Sequence, residues 1–447
     1  MQDVDTLIFA RWVIPVEPRG AVLEDHAVAV RHGRIVAVAP AAEAAARFQA
    51  RERLHRPAHV LIPGLVNAHT HAAMSLLRGL ADDMPLQRWL GEHIWPAEHR
   101  LVDRDFVRDG TRLAVAEMLL GGTTCFADMY YFPDTVAETA AEIGIRAVVG
   151  MIVIEFPTAW AQNADEYLSK GLALHDQYRE HPLIATAFAP HAPYTVADTT
   201  LERVRRLADE LDVPVHMHLH ETAQEVTDSV AEHGCRPLAR IQRLGLLNPA
   251  LMAVHMTQLE TAEIDALAAA GVSVIHCPAS NMKLASGACP VAALAEGGVN
   301  LALGTDGAAS NNRLDMLGEM RLAALLAKHT RADPAALDAA AALEMATLGG
   351  ARALGLGGVT GSLAAGKWAD LTCLALDHPG ELPVLHPLSQ LVYAADRSRV
   401  SDVWVAGRPQ VRDHRLLTES PEALAALARD WGARVMAADA QEGKTNG

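Results

Sequence analysis

The sequence predicts an α/β protein: a (β/α)8 TIM-type barrel carrying a small composite β-sandwich built from both chain ends. Three observations point there. Eight β-like segments alternate with helical patterns, several of those segments end in His or Asp, and short β-like runs of one texture occur at both termini. Eight strand–helix units is the barrel count, and polar, metal-type residues at strand C-termini are where such a barrel keeps its active site. At 447 residues, half of them hydrophobic, the chain accommodates a barrel plus an appended module.

Residues 1–59 contain the runs Thr6–Ala10, His26–Val30 and Ile35–Ala39, the last two meeting at the turn His32-Gly33-Arg34. The same texture returns at 369–375 and 400–408. Neither end alone offers enough strands for a two-sided core, so 1–59 and 363–447 are expected to pair, with the barrel (60–362) inserted between them. Its strands are expected at 60–66, 123–130, 146–154, 183–190, 214–220, 251–257, 271–276 and 298–305. Apolar residues at helical spacing separate most of them, as in 201–208 and 261–267. The long segment 72–122 holds more than one crossover helix and includes Trp89, Trp95 and Glu98. Following the first strand, it lies at the catalytic mouth and is expected to cover a substrate. Helices are expected near 314–329, 333–355 and 421–438, with a frayed tail over 441–447.

A formal charge of −16 argues against a phosphate-tracking surface, hence against nucleic acid or an anionic membrane as partner. The acidic start Met1-Gln2-Asp3-Val4-Asp5 does not read as a signal peptide, and no apolar run approaches the ~20 residues of a membrane span. The expected location is cytoplasmic. Five cysteines without a C-x-x-C pair read as reduced, mostly buried thiols.

The run Ile62-Pro63-Gly64-Leu65-Val66-Asn67-Ala68-His69-Thr70-His71 ends in two histidines one residue apart, which share a face if extended. Alone, a His-x-His is more often a pair of surface histidines. Here His218, Glu221, His255 and Asp306 close later β-like segments. His69, His71, His218 and Asp306 would supply three imidazoles and a carboxylate, a set suited to zinc or iron with room for water. Such an ion lowers the pKa of water from about 15.7 toward ~7, so the reaction class is metal-assisted hydrolysis. His216 and His220 share the alternating face of His218, and spacing does not choose among the three. A two-metal layout bridged by a carboxylated lysine would need a Lys at the fourth strand end, where 184–194 has none. Glu221 could carry a proton between water and a ring nitrogen, although a carboxylate also suits the start of a helix. His255 could steady the attacking oxygen; alone it would more often be a core histidine.

Four stretches together resemble the amidohydrolase superfamily: Leu61–His71, His216–Thr222, Leu303–Asn312 and Gly361–Leu371. Within it they look most like the methylthioadenosine/S-adenosylhomocysteine deaminases, beside the triazine chlorohydrolases. The resemblance implies His69, His71, His218 and Asp306 as ligands of one divalent ion per subunit, zinc with iron as the alternative. It implies Glu221, His255 and Asp306 as catalytic and selects His218 from the three histidines. It further implies that Glu98 holds the ribose hydroxyls and that His191 contacts the nucleoside; Trp95, beside Glu98, joins them as a substrate contact. The implied partner is a small nucleoside, the implied assembly a homo-oligomer, and the implied reaction hydrolytic attack at adenine C6 with Glu221 protonating N1. The competing reading is a superfamily hydrolase acting on another ring, such as a guanine or cytosine deaminase or a triazine chlorohydrolase. Between the expected third and fourth strands, 156–167 carries two acids, three aromatics and no arginine. An amino-acid tail would need a cation there, so 5'-methylthioadenosine is expected to be preferred over S-adenosylhomocysteine, with adenosine accepted.

Overall fold

The computed structural model describes residues 1–445 and contains two eight-stranded sheets. The first collects both chain ends: β1 (Gln2–Val13), β2 (Leu23–Arg31), β3 (Arg34–Pro40) and β4 (Phe48–Pro63). The barrel strands follow: β5 (Leu65–Thr70), β6 (Thr123–Asp128), β7 (Arg146–Val153), β8 (Ile184–Pro190), β9 (Val215–Leu219), β10 (Leu251–His255), β11 (Ser273–His276) and β12 (Asn300–Leu303). The chain then returns to the first sheet with β13 (Leu371–Ala375), β14 (Val400–Val405), β15 (Arg408–Arg412) and β16 (Arg415–Leu416).

The end sheet runs β16-β15-β14-β13-β4-β1-β2-β3 as one continuous hydrogen-bonded sheet. The two ends meet where β13 lies antiparallel to β4, with Cys373 opposite Leu61 and Ala375 opposite His59. Apolar residues pack in two separate clusters, one around Ile8, Val28, Leu61 and Trp404, the other around Leu7, Phe9, Ala29 and Phe48. Neighbouring residues such as Leu7 and Ile8 point to opposite faces, so both faces are covered. A buried Arg146–Asp370 pair at 2.8 Å joins this sheet to the barrel.

The barrel strands run parallel in the order β12-β11-β10-β9-β8-β7-β6-β5. Six of the eight are buried along their whole length, as parallel strands covered on both faces must be. Between β12 and β5, Thr305 N donates to Asn67 Oδ1 at 2.9 Å and Asp306 N to His69 O at 3.0 Å, drawing the open edges together. Crossover helices begin on side-chain caps that satisfy their first amides, including Asp103, Asn163, Thr222 and Asp315.

The structure corrects the first strand. Residues 60–63 finish β4 in the end sheet, and the barrel strand is 65–70 instead of 60–66. Gly64 marks the break: a Cβ there would stand 2.1 Å from Thr124 Oγ1, so only glycine allows β6 to pack so close. His71 consequently lies one residue beyond β5, whose register is irregular between Asn67 and Thr70. The helix expected from 333 starts at Ala339, after Asp338 caps it through Ala341 N. The last helix runs Pro421–Thr445 through most of the segment expected to fray, and residues 446–447 lie outside the described residues. No described helix is long and apolar enough to cross a membrane.

Candidate active site

The C-terminal ends of the barrel strands surround a cavity. Its upper wall comes from the segment after β5: Met74, Leu86, Trp89, Leu90, Ile94, Trp95 and Glu98 all line it. The expected cover is therefore a real wall, built from a 3-10 turn at Ala72–Leu77, a π-helical turn at Trp89–Ile94 and the helix Trp95–Leu101. His71, His191, His218, Glu221, His255 and Asp306 line the cavity too.

His69, His218 and Asp306 converge on the floor. His69 Nε2 stands 3.2 Å from His218 Nε2 and 3.4 Å from Asp306 Oδ1, and His71 Nε2 is 3.1 Å from the same oxygen. The second nitrogens are engaged behind them. His71 Nδ1 donates to Met129 O at 2.5 Å and His218 Nδ1 to His191 O at 2.8 Å. A neutral imidazole that donates through Nδ1 keeps its lone pair on Nε2, so the floor gathers lone pairs around one carboxylate. Ser280 and Ser310 both donate to Asp306 Oδ2, at 2.6 and 2.7 Å, which turns Oδ1 toward the histidines.

Burial lowers His69 to about 4 and drives His218 well below the usual imidazole value. At His71 burial opposes the charge, but the hydrogen bond and charge of Asp306 outweigh it and raise the group to about 9. With no ion bound, His71 holds a proton against Asp306; a divalent metal ion would take that proton's place, and the donor set of imidazole nitrogens with one carboxylate oxygen fits such an ion. Two triads, His69 with His71 and Asp306 and His69 with His218 and His255, each bring one ligand atom per residue within 4.8 Å of the others.

Of the three alternating histidines only His218 reaches the cavity. His216 stands behind the floor, its Nε2 2.9 Å from His69 Nδ1. His220, at a left-handed φ of 53°, turns away: its Nε2 accepts from Leu238 N and its Nδ1 donates to Gln258 O. The same turn carries Glu221 into the cavity, where Glu221 Oε2 is 3.8 Å from His255 Nε2. Burial raises the pKa of Glu221. His255 donates through Nδ1 to Asn281 Oδ1 at 2.8 Å. His255 and Asp306 both hold left-handed φ values, 75° and 59°, which side chains other than glycine rarely adopt.

Glu98 is buried and accepts from Tyr130 OH at 2.7 Å; burial raises it to about 7. His191 follows β8, faces Thr195 Oγ1 at 2.9 Å, and is lowered by burial to about 3. Trp95 meets Phe156 edge-on at 6.3 Å. Sequence reasoning named His216 only as an alternative to His218, and missed Ser280, Asn281, Ser310 and Tyr130. Ser310 did stand in a quoted stretch, four residues after Asp306; Ser280, Asn281 and Tyr130 gave no signal in spacing.

A second recess shares Trp95, Glu98 and Tyr131 with the cavity. Phe156, Pro157 and Ala159 wall it, and His99 is the one basic side chain among its lining residues, which include no Lys or Arg.

The model of the amidohydrolase family matches residues 60–409. A 5-methylthioadenosine/S-adenosylhomocysteine deaminase of Teredinibacter turnerae is 50% identical over 428 residues, spanning 96% of this chain and 97% of that protein. The crystal structure of an adenosine deaminase from Xanthomonas campestris with bound zinc is similar with a TM-score of 0.97 and 57% identity, covering 98% of this chain and 99% of that one. An atrazine chlorohydrolase from Arthrobacter aurescens, complexed with zinc, is similar with a TM-score of 0.88 and 26% identity, over 95% and 99% of the two chains.

Proposed function

The chain belongs to the amidohydrolase family, and on that premise we propose that it is a metal-dependent deaminase of adenosine-type nucleosides, releasing ammonia and the inosine analogue. The observation that carries the reading is one cavity holding three elements: the lone-pair centre on its floor, the Glu221–His255 pair beside it, and the buried Glu98 on its wall.

His69, His71, His218 and Asp306 would hold one divalent ion, zinc in our reading. When bound, it acidifies water toward neutral pH and polarises the reacting centre. The protein groups do the rest. Glu221, whose raised pKa lets it keep a proton, delivers that proton to N1 as the water oxygen bonds to C6. His255, with its Nδ1 engaged by Asn281, presents Nε2 to accept a proton from the attacking water. The C6–N bond then breaks: ammonia leaves with the proton that His255 took from the water, and the remaining proton on that oxygen passes to Glu221 as the C6 carbonyl forms, restoring the group that protonated N1.

Glu98 accepts from the vicinal ribose hydroxyls, a charge-assisted contact available to nucleosides and not to bare heterocycles. His191 and Trp95 contact the nucleoside from the adjacent walls. The apolar recess beyond Glu98 suits a 5'-methylthio group and offers no Lys or Arg to the carboxylate of S-adenosylhomocysteine. We read 5'-methylthioadenosine as the preferred substrate for that reason.

Glu221→Gln tests the assignment. It keeps the metal ligands and the side-chain volume, so bound metal should stay near one equivalent while deamination falls by at least a hundredfold, the low end of general acid–base contributions. Retained activity in this variant would overturn the role of Glu221.

A further inference from the structure

Glu225 is a buried carboxylate with no part in the chemistry above. It follows the cavity wall by one helical turn, at the start of the helix Ala223–His233, and is 6% exposed. Both its oxygens are committed to backbone. Oε1 accepts from His220 N at 3.0 Å and Oε2 from Glu221 N at 2.6 Å. Thr222 Oγ1 accepts from Glu225 N at 3.1 Å, fixing the base from which the carboxylate reaches back.

The peptide it grips is the one that turns the chain out of β9. His220 adopts the left-handed φ of 53° there, a strained conformation that a non-glycine residue holds only where its surroundings enforce it. The opposite side of the same peptide is gripped as well. Thr257 N donates to His220 O at 2.9 Å, and Thr257 Oγ1 donates to Glu221 O at 2.7 Å. The His220 ring is pinned at both nitrogens, so it cannot rotate to release the turn. Without this turn, strict alternation along β9 would carry Glu221 to the face opposite His218.

We propose that Glu225, with Thr257, is a positioning residue that clamps the 220–221 peptide so that the Glu221 carboxyl is aimed at the reacting ring. Glu225 touches no substrate; it acts through Glu221. This rests on the proposed function insofar as Glu221 is the proton-carrying group.

The test is a double-mutant cycle on the zinc-loaded protein with 5'-methylthioadenosine. In Glu225→Gln the side-chain volume is kept, but the amide nitrogen cannot accept, so one of the two backbone N–H groups loses its partner. The expected result is a kcat lowered tenfold or more, with KM within about twofold and metal content unchanged. In a Glu221→Gln background the same substitution should cost less than twofold, because the group being aimed is gone. Thr257→Val, which removes the hydroxyl from the other side, should give the same kcat-selective loss, and it carries the test if Glu225→Gln does not fold. Wild-type kcat in the clamp variants, or an equal loss in both backgrounds, would overturn the clamp. A fully active Glu221→Gln would instead overturn the proton-carrying role of Glu221 on which the clamp rests, so the two failures are distinguishable.

Discussion

Glu98→Gln separates recognition of a nucleoside from recognition of its base. Glu98 lies buried on the cavity wall, bonded to Tyr130 OH at 2.7 Å. Hydrogen bonds to a charged group contribute about 1.5–3 kcal/mol against about 0.5–1.5 kcal/mol for neutral pairs. Replacing the carboxylate by an amide of equal size therefore costs about 1 kcal/mol per ribose hydroxyl. For two hydroxyls the loss is about 2 kcal/mol, or roughly thirtyfold in kcat/KM. Initial rates of ammonia release would be measured for adenosine, 5'-methylthioadenosine and 2',3'-dideoxyadenosine. The two ribonucleosides should lose the thirtyfold and the dideoxy compound should lose little. The carboxyl is raised by burial to about 7, and the accepting form exists above that value. In the wild type KM for ribonucleosides should therefore fall as pH rises from 6 to 8, whereas Glu98→Gln should show no such slope. Equal losses for ribo- and dideoxynucleosides would refute the assignment.

Because the recess beyond Glu98 lacks Lys and Arg among its lining residues, S-adenosylhomocysteine forgoes one charge-assisted contact. Its kcat/KM should fall about tenfold to a hundredfold below that of 5'-methylthioadenosine, and equal turnover would mean a cation reaching the tail from elsewhere. Stability should also depend on pH. Burial raises Glu98 and Glu225 to about 7 and Glu319 to about 8, so the folded chain keeps protons that the unfolded chain releases near the usual carboxylate range. That contribution is full below the unfolded value and is lost as pH rises through 7–8. The denaturation midpoint should accordingly fall between pH 6.5 and 8.5, and a rise over that interval would contradict the account.

Most of the barrel was legible because its strands are buried on both faces and read as short apolar runs between helical patterns. The first strand was displaced because the apolar run continues on both sides of Gly64, and what divides it is contact with Thr124, far away in sequence. The pairing of the two chain ends was legible from texture, since neither set of strands could close a core alone. His69, His71, His218, Glu221, His255 and Asp306 were visible because strand ends collect them, and the structure gathers all six around one floor. The choice among His216, His218 and His220 was not visible in spacing. His216 lies deeper, against His69 Nδ1, and His220 is taken away by a left-handed turn held by Glu225 and Thr257 from separate elements. Ser280 and Asn281 stayed hidden for the same reason: they act from a short helix after β11 that meets Asp306 and His255 only once the barrel closes.

The most direct test of the central claim is ammonia release measured on one preparation together with its metal content, before and after chelation, across adenosine, 5'-methylthioadenosine, guanine and a chlorinated triazine. The expected result is about one divalent ion per chain, turnover of the two adenosine nucleosides that is lost with the ion and restored with zinc, and little turnover of guanine or triazine. A metal-free protein that still deaminates, or a loaded protein inactive on every adenosine nucleoside, would contradict it.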